Sequence, residues 1–215
     1  MTVIAIDGTF ASGKGTLAKR LADHFGYAYL DTGKLYRATA AKVLANNGNL
    51  DDGASAATYA STLTLEDLND PELKSGKIGA AASKVSVHKQ VRAALFDFQQ
   101  NFAKKPGKQY KGAVLDGRDI GTVICPNADV KLYVDAKPEV RADRRHKELV
   151  SYGEDVSFEQ VMQQLTERDA RDMNRTEAPL KPAANAHLLD TTNLGIDAAF
   201  EAARHLIVTV LEQQV

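Results

Sequence analysis

The chain of 215 residues contains one cysteine, no tryptophan and no apolar run long enough to cross a bilayer. A single thiol, Cys125, cannot form an internal disulfide, so we expect the protein to work in the cytoplasm. The most apolar stretch near the C-terminus, HLIVTVL, predicts a packed final helix. No basic segment followed by an apolar one stands at the N-terminus, so we expect neither a secretory signal nor membrane attachment.

The sequence also lacks an excess of charge of either sign. It has 27 lysines and arginines against 28 acidic residues, so no overall field attracts nucleic acid or an anionic membrane. Any affinity for phosphate must come from local groups, and we expect small-molecule partners, no nucleic acid and a monomer. The content of 44% hydrophobic and 26% charged residues is typical of a globular protein, and the length suits a single domain over residues 1–215.

Alternating strand and helix patterns predict an α/β fold. The run TVIAID ends at a glycine-rich loop, and leucine and alanine then recur at helical spacing over residues 14–25. A short strand YAYLD and a helix over residues 34–47 follow, and AVLD, VKLYVDA and AHLLDTT are further strand candidates. Because these runs are continuously apolar, we expect a central parallel sheet of about five strands with helices on both faces.

Three other segments have patterns of their own. Residues 49–75 are weakly patterned and predict an insert or a mobile flap, whereas residues 81–105 predict either one helix or a broken pair. The sequence SFEQ fits a capping box that opens a helix running to about residue 173.

The stretch IDGTFASGKGTLAK contains a phosphate-binding loop with one unusual position. Gly8, Gly13 and Lys14 have the Walker A spacing, but Gly15 stands where a serine or threonine is usual, and the hydroxyl comes one residue later at Thr16. Backbone N–H groups of such a loop wrap around phosphate oxygens, and the lysine bridges the outer phosphates. A chance glycine-rich turn is the alternative, which the preceding strand and following helix disfavour. The residues expected to bind the phosphates are Gly8, Thr9, Phe10, Ala11, Ser12, Gly13, Lys14, Gly15 and Thr16.

Candidate ligand-binding residues follow two other predicted strands. DTGKLYR places Thr32 at the end of the second strand and Arg37 one turn into the next helix, and LDGRDIGT places Asp116 where a Walker B aspartate would hold a metal's water shell. Open α/β sheets bind ligands beyond these strand ends. A solvated helix arginine and a turn-forming aspartate are the respective alternatives.

Arginines recur on one face of each of two predicted helices near the C-terminus. ERDARDMNR sets Arg168, Arg171, Asp172 and Arg175 at i, i+3, i+4 and i+7. RADRRHKEL presents Arg141, Arg144 and Arg145 similarly, and VSYGED beyond it could hinge a lid. The arginines of these two helix faces could bind phosphates. A solvated charged surface is the ordinary explanation of either sequence taken by itself.

Together these motifs resemble the bacterial cytidylate kinases, within the nucleoside monophosphate kinases. The resemblance runs almost end to end through ASGKGT, YLDTGKLYR, LDGRDIGTVICPNADVKLYVDA and RDARDMNRTEAPLKPAANAHLLDTT. The Gly-Phe-Pro-Arg element of adenylate kinases is absent. The resemblance implies a P-loop kinase fold that transfers a phosphoryl group from ATP to CMP, with dCMP as a second acceptor. It also implies that a glycine after the loop lysine is usual in this family, so Gly15 is not a defect of the loop.

The resemblance further implies the roles of individual residues. Mg²⁺ would be held by phosphate oxygens and water rather than directly by the protein, with Asp116 and Thr16 nearby. An acceptor-binding region over residues 30–105 and a lid over residues 144–158 would flank the site. The residues assigned to catalysis are Lys14, Arg144, Arg145 and Asp116. Those assigned to CMP are Thr32 and Asp119 for the base, Ser83, Arg168 and Asp172 for the sugar, and Arg37, Arg92, Arg118 and Arg175 for the phosphate.

The chain departs from the family pattern in two places. Thr9 and Phe10 replace the usual proline and small residue of the loop, and residues 49–75 are too short for the β-rich insert of many relatives. Two rival functions stay open, namely a kinase for another small acceptor such as UMP and a nucleotide-sensing module without turnover. Arginines on both ligand sides argue against the second.

Overall fold

A computed structural model describes residues 1–213. Five parallel strands form one sheet in the order β2-β3-β1-β4-β5, which confirms the predicted α/β architecture. The strands are β1 (Thr2–Gly8), β2 (Ala28–Asp31), β3 (Gly112–Gly117), β4 (Val130–Asp135) and β5 (His187–Asp190). Because all five run in one direction, their carboxyl ends meet at one edge of the sheet.

Helices cover both faces of the sheet. They are α1 (Lys14–Phe25), α2 (Thr32–Ala45), α3 (Gly53–Ala60), α4 (Gly76–Val85), α5 (Lys89–Lys104), α6 (Pro138–Ser151), α7 (Phe158–Asn174) and α8 (Ile196–Glu212). Alternate residues of β1 serve the two faces, since Ile4 and Ile6 pack with α1 and α8 whereas Ala5 packs with α2 to α5. No helix within residues 1–213 is long and apolar enough to cross a membrane.

The weakly patterned segment 49–75 belongs to the core. It contains α3 and two 3₁₀ turns, Glu66–Asn69 and Pro71–Lys74. Its buried residues are Ala56, Ala60, Leu63, Leu68 and Leu73. The packing of this segment therefore favours an insert over a mobile flap. Its small alanine side chains give little periodic hydrophobic signal in the sequence.

Local sequence signals explain where several helices begin. The Asp31 carboxylate accepts a hydrogen bond from the Lys34 backbone, so α2 begins at Thr32, two residues earlier than predicted. The predicted capping box at Ser157 and Gln160 is present and opens α7. Of the two alternatives for residues 81–105, the broken pair is right, because Ser86 and the two residues after it separate α4 from α5.

Candidate active site

The phosphate-binding loop joins β1 to α1 at the carboxyl edge of the sheet. Gly8 has φ 155°, and a Cβ there would lie 2.0 Å from the Val134 carbonyl oxygen, so only glycine fits. The Ser12 hydroxyl and the Lys14 ammonium both donate to the Thr9 carbonyl, at 3.0 and 3.4 Å. Lys14 thus lies folded over the loop, where its charge would meet bound phosphates.

A tyrosine hydroxyl lies beside the unusual Gly15. The Tyr29 hydroxyl donates to Asp116 Oδ2 at 2.5 Å, and a Cβ on Gly15 would lie 3.7 Å from both of these oxygens. The position next to the loop lysine therefore has no hydroxyl of its own but is flanked by a phenol and a carboxylate. Sequence reasoning missed Tyr29, because an aromatic residue in a strand usually indicates core.

The charged groups around Lys14 perturb one another. Burial, and then the positive charge of Arg118, lower the pKa of Lys14. Burial, and then the negative charge of Asp31, raise the pKa of Asp116. Groups shifted in this way by burial and specific charged neighbours are typical of functional sites.

A cleft of about 690 Å³ opens over the loop. Most of the predicted donor and catalytic residues line it, namely Phe10, Ala11, Ser12, Gly13, Lys14, Gly15, Thr16, Asp116, Arg144 and Arg145. Three residues assigned to CMP also line it, namely Arg37, Arg118 and Arg168. Sequence reasoning missed another part of the lining, which includes Asp31, Glu148, Thr191, Leu194 and Ile196. Two predicted loop residues do not line the cleft: Gly8 belongs to β1, and the Thr9 hydroxyl donates to Asp135 at 2.6 Å.

A second, smaller pocket of about 50 Å³ adjoins the cleft. It brings together most of the predicted acceptor residues, namely Thr32, Arg92, Arg118, Asp119, Arg168, Asp172 and Arg175, and adds Tyr36 and Ser86. Arg118 and Arg168 line both spaces, so they stand at the junction between them.

Ion pairs organise the arginines of the small pocket. The Asp119 carboxylate accepts from Arg92 Nη2 and lies 3.6 Å from Arg175 Nη2. Arg118 Nε donates to Asp172 Oδ2 at 2.9 Å. Acidic side chains thus hold three arginines of this pocket in place.

Two acceptor residues assigned from the sequence are engaged elsewhere in the protein. Ser83 is buried, accepts a hydrogen bond from Arg171 Nε at 3.1 Å and lines neither space. Arg37, which lines the cleft, donates to the carbonyl oxygens of Leu73 and Ser75. Both assignments stay predictions, and each requires the side chain to exchange these partners for a ligand.

The two lid arginines already contact the rest of the site. Arg144 donates to the carbonyl oxygens of Ser12 at 3.3 Å and Thr191 at 2.7 Å. Arg145 pairs with Glu148 at 2.6 Å. Arg141, on the same helix, is buried and pairs with Asp169 at 2.7 Å, so it is a structural residue rather than a lid arginine.

The carboxylate of Asp7 is buried, and it binds the backbone that directly follows two predicted acceptor residues. Its two oxygens accept hydrogen bonds, each 2.7 Å long, from the backbone N–H groups of Ile120 and Gly121. These groups begin the π-helical turn Ile120–Ile124, directly after Arg118 and Asp119. An acidic residue inside the apolar strand TVIAID was the available signal for this contact.

Asp7 should make stability depend on pH. Burial raises its pKa to about 6, whereas in the unfolded chain the group titrates near its ordinary value of 3.8. Between these two pKa values Asp7 holds its proton in the folded protein but loses it in the unfolded chain. The free energy of unfolding therefore falls as the pH rises. Asp7→Asn cannot titrate and should lack this fall, which is at most about 1.4 kcal/mol per pH unit. Urea denaturation of both proteins across this range measures it, and parallel curves would contradict the assignment.

The phosphate loop and the arginines that converge on it from two sides define a P-loop kinase of the nucleoside monophosphate type. A family profile described as cytidylate kinase matches residues 4–209. The chain belongs to this cytidylate kinase family.

Curated relatives extend over nearly the whole chain. The cytidylate kinase of Rhodopseudomonas palustris is 53% identical over 208 residues, which are 97% of this chain and 96% of that protein. The cytidylate kinase of Caulobacter vibrioides is 52% identical over 205 residues, with 95% and 94% covered. That of Rhizobium meliloti is 48% identical over 213 residues, or 99% of each.

Among solved structures, an uncharacterized protein from Eubacterium ventriosum shares the fold. Its TM-score is 0.53 at 14% identity, with 96% of this chain and 98% of that chain covered. At this identity the likeness concerns the fold alone.

Proposed function

We propose that the chain transfers the terminal phosphoryl group of ATP to CMP, giving ADP and CDP, with dCMP as a second acceptor. The relatives that cover nearly the whole chain are named cytidylate kinases. The observation that carries the proposal is the junction of the large cleft with the small pocket at Arg118 and Arg168. Phosphoryl transfer needs two anions in line and their charge neutralised, and a row of arginines between two ligand spaces suits that task.

The large cleft suits the donor nucleotide. The loop N–H groups and Lys14 would bind its phosphates, and Arg144 and Arg145 would approach the migrating group from α6. Beyond the loop, Leu194 and Ile196 provide an apolar wall, which suits the flat base of the donor.

The small pocket suits the acceptor. Cytosine carries an amine where uracil carries a carbonyl, and an ionised Asp119 can only accept hydrogen bonds. Thr32 assists, although its hydroxyl now donates to the Asp116 carbonyl oxygen at 2.7 Å. Arg92 and Arg175 would turn from Asp119 towards the acceptor phosphate.

The residues near Lys14 suit Mg²⁺ bound together with ATP. Phosphate oxygens and water would supply most ligands of this ion, as is usual for Mg²⁺ bound with a nucleotide. No group of three metal-ligating side chains occurs within residues 1–213. Burial, and then the negative charge of Asp31, raise the pKa of Asp116, and a cation would relieve the repulsion between the two carboxylates. The Thr16 hydroxyl also lies at the cleft. Bound Mg²⁺ would neutralise charge on the phosphates.

An assay of ADP release with ATP, Mg²⁺ and each nucleoside monophosphate tests the proposal. We expect CMP to be phosphorylated with the highest kcat/KM, and dCMP also to be turned over. A higher kcat/KM with UMP, or with a non-nucleotide acceptor, would favour a kinase of another specificity. ATP binding without turnover of any acceptor would favour a sensing module.

The lid loop over residues 152–155 should become ordered when both nucleotides bind. The loop contains Gly153, with φ 81°, and Glu154 Oε1 accepts from the Gly76 backbone at 2.7 Å, which links the lid to the start of α4. Phosphates that pull Arg144 and Arg145 inwards should favour this closed contact. Hydrogen exchange of residues 152–155 should therefore slow with a bisubstrate analogue, whereas exchange in the core strand β1 should not change. Unchanged exchange in the loop would count against closure.

A further inference from the structure

Phe10 lies in the phosphate-binding loop, and its ring faces two of the arginines in the cleft. The guanidinium carbon of Arg168 lies 4.2 Å from the ring centroid, and that of Arg145 lies 5.6 Å from it. Both distances lie within the range of a cation–π contact. The two arginines come from α7 and α6 respectively, so one ring joins the phosphate loop to both helices.

The backbone around Phe10 is fixed. The Phe10 carbonyl oxygen accepts from Arg141 Nη1 at 3.1 Å, and Arg141 pairs in turn with Asp169 of α7. The ring packs against a small cluster formed by Ala142, Leu149 and neighbouring apolar residues of α6 and α7. Because the backbone and one side of the ring are held, the ring offers a rigid surface to the arginines.

Arg168 has few other partners. Its Nε is buried without a hydrogen-bond partner, and its Nη1 makes a long hydrogen bond of 3.4 Å to the Gly79 carbonyl. Burial, followed by the charge of Arg118, lowers the pKa of Arg168 to about 9. Within residues 1–213 no carboxylate lies within ion-pair distance of its guanidinium. Asp172 attracts this charge from beyond ion-pair distance, and the face of Phe10 lies directly against the guanidinium.

We propose that Phe10 is a positioning residue, which holds Arg168 and Arg145 at the junction between donor and acceptor through cation–π contacts. The inference rests on the proposed phosphoryl transfer from ATP to CMP and goes beyond the backbone role of the loop. Arg168 lines both spaces and Arg145 lines the cleft, so displacement of either moves positive charge away from the migrating group. An apolar side chain without a π face fills the same space but does not attract the guanidinium groups.

Two variants separate the ring's attraction from its packing. Phe10→Leu keeps an apolar side chain in the cluster, whereas Phe10→Tyr keeps the aromatic face and is the matched control. We expect Phe10→Leu to lower kcat for CMP roughly tenfold, because the two arginines lose the π face that attracts them. KM for ATP should change much less, because the loop backbone stays in place. Phe10→Tyr should recover most of the lost turnover.

A double-mutant cycle tests whether the effect passes through Arg168. In the background of Arg168→Gln, which removes the cation, the additional loss caused by Phe10→Leu should shrink to about twofold. An unchanged tenfold loss in that background, or equal kcat values for Phe10→Leu and Phe10→Tyr, would overturn the proposal. If the wild-type enzyme does not phosphorylate CMP, the proposed function fails instead, which the first assay reveals by itself.

One measurement needs no activity, and its decisive observation does not require Phe10→Leu to fold. In the ¹H–¹⁵N spectrum of the wild-type protein, the Arg168 Nε–H signal, assigned by its loss in Arg168→Lys, should be shifted upfield by the ring current of Phe10. Phe10→Leu should abolish the shift, and Phe10→Tyr should retain it. An unshifted Arg168 signal in the wild-type protein would show that the guanidinium does not rest on the ring, and would overturn the proposal even if Phe10→Leu failed to fold.

Discussion

Lys14→Ala is expected to lower kcat for CMP phosphorylation by at least about a hundredfold, because it removes a positive charge at the transferring phosphate. Lys14 is buried, and burial is the largest cause of its lowered pKa, so its charge is costly to the folded state. The melting temperature of the variant should therefore not fall, and the loss can be assigned to chemistry. Initial rates at saturating ATP and CMP, together with thermal unfolding, provide both measurements.

The control for this substitution is Lys147→Ala. Lys147 lies on α6 with its side chain 73% exposed, and it pairs with Asp143 on the surface. A surface pair of this kind contributes little, so the control should keep its turnover. Near-normal turnover of Lys14→Ala would show that the loop lysine has no role in the transfer.

The second large effect is expected for Asp119→Asn, which should reduce kcat/KM for CMP by about a hundredfold. The buried carboxylate is expected to accept from the cytosine amine, and a mismatched buried group costs about 1–3 kcal/mol. Its negative charge also holds Arg92 and Arg175, which an amide would bind more weakly. Because an amide can present either a donor or an acceptor, the ratio of kcat/KM for CMP to that for UMP should narrow.

The ratio of kcat/KM for CMP to that for UMP distinguishes two roles of Asp119, namely recognition of the base and positioning of the arginines. Equal losses with CMP and UMP would mean that Asp119 acts by holding the arginines, and that another residue recognises the base. The exposed Asp197, whose carboxylate pairs with Arg20 on the surface, provides the control Asp197→Asn. Asp197→Asn should leave kcat/KM for CMP and kcat/KM for UMP unchanged, since an exposed ion pair contributes little to stability.

Local patterns predicted the elements that carry the site, but not the contacts between distant segments. The loop motif, the strand ends and the helix face of Arg168, Asp172 and Arg175 are all visible in short windows, and the structure brings most of them to one edge of the sheet. The Tyr29 to Asp116 bond joins residues 87 positions apart. The Asp7 contact joins residues 113 positions apart. Periodicity within a window contains no information on such pairs.

Two further details depend on tertiary packing. The family resemblance predicts that Ser83 contacts the sugar, and this stays a prediction. In the structure the Ser83 hydroxyl accepts from Arg171, and Ser86 lines the small pocket. The helix α3 was missed because its buried face consists of small residues such as Ala56 and Ala60, whose hydrophobic signal is weak. Its packing against α5 depends on tertiary contacts, which outweigh local pattern.

The ion pairs of the small pocket should also affect the rate at which the acceptor binds. A space of about 50 Å³ is much smaller than the sites of several hundred Å³ that typically hold small ligands. In the proposed binding mode, CMP enters only after Arg92 and Arg175 move away from Asp119, so the pocket would open before or during the encounter. Association is then gated by a rearrangement of the protein rather than limited by diffusion. The observed rate of acceptor binding should level off at high CMP concentration, at the rate at which these two arginines release their carboxylate.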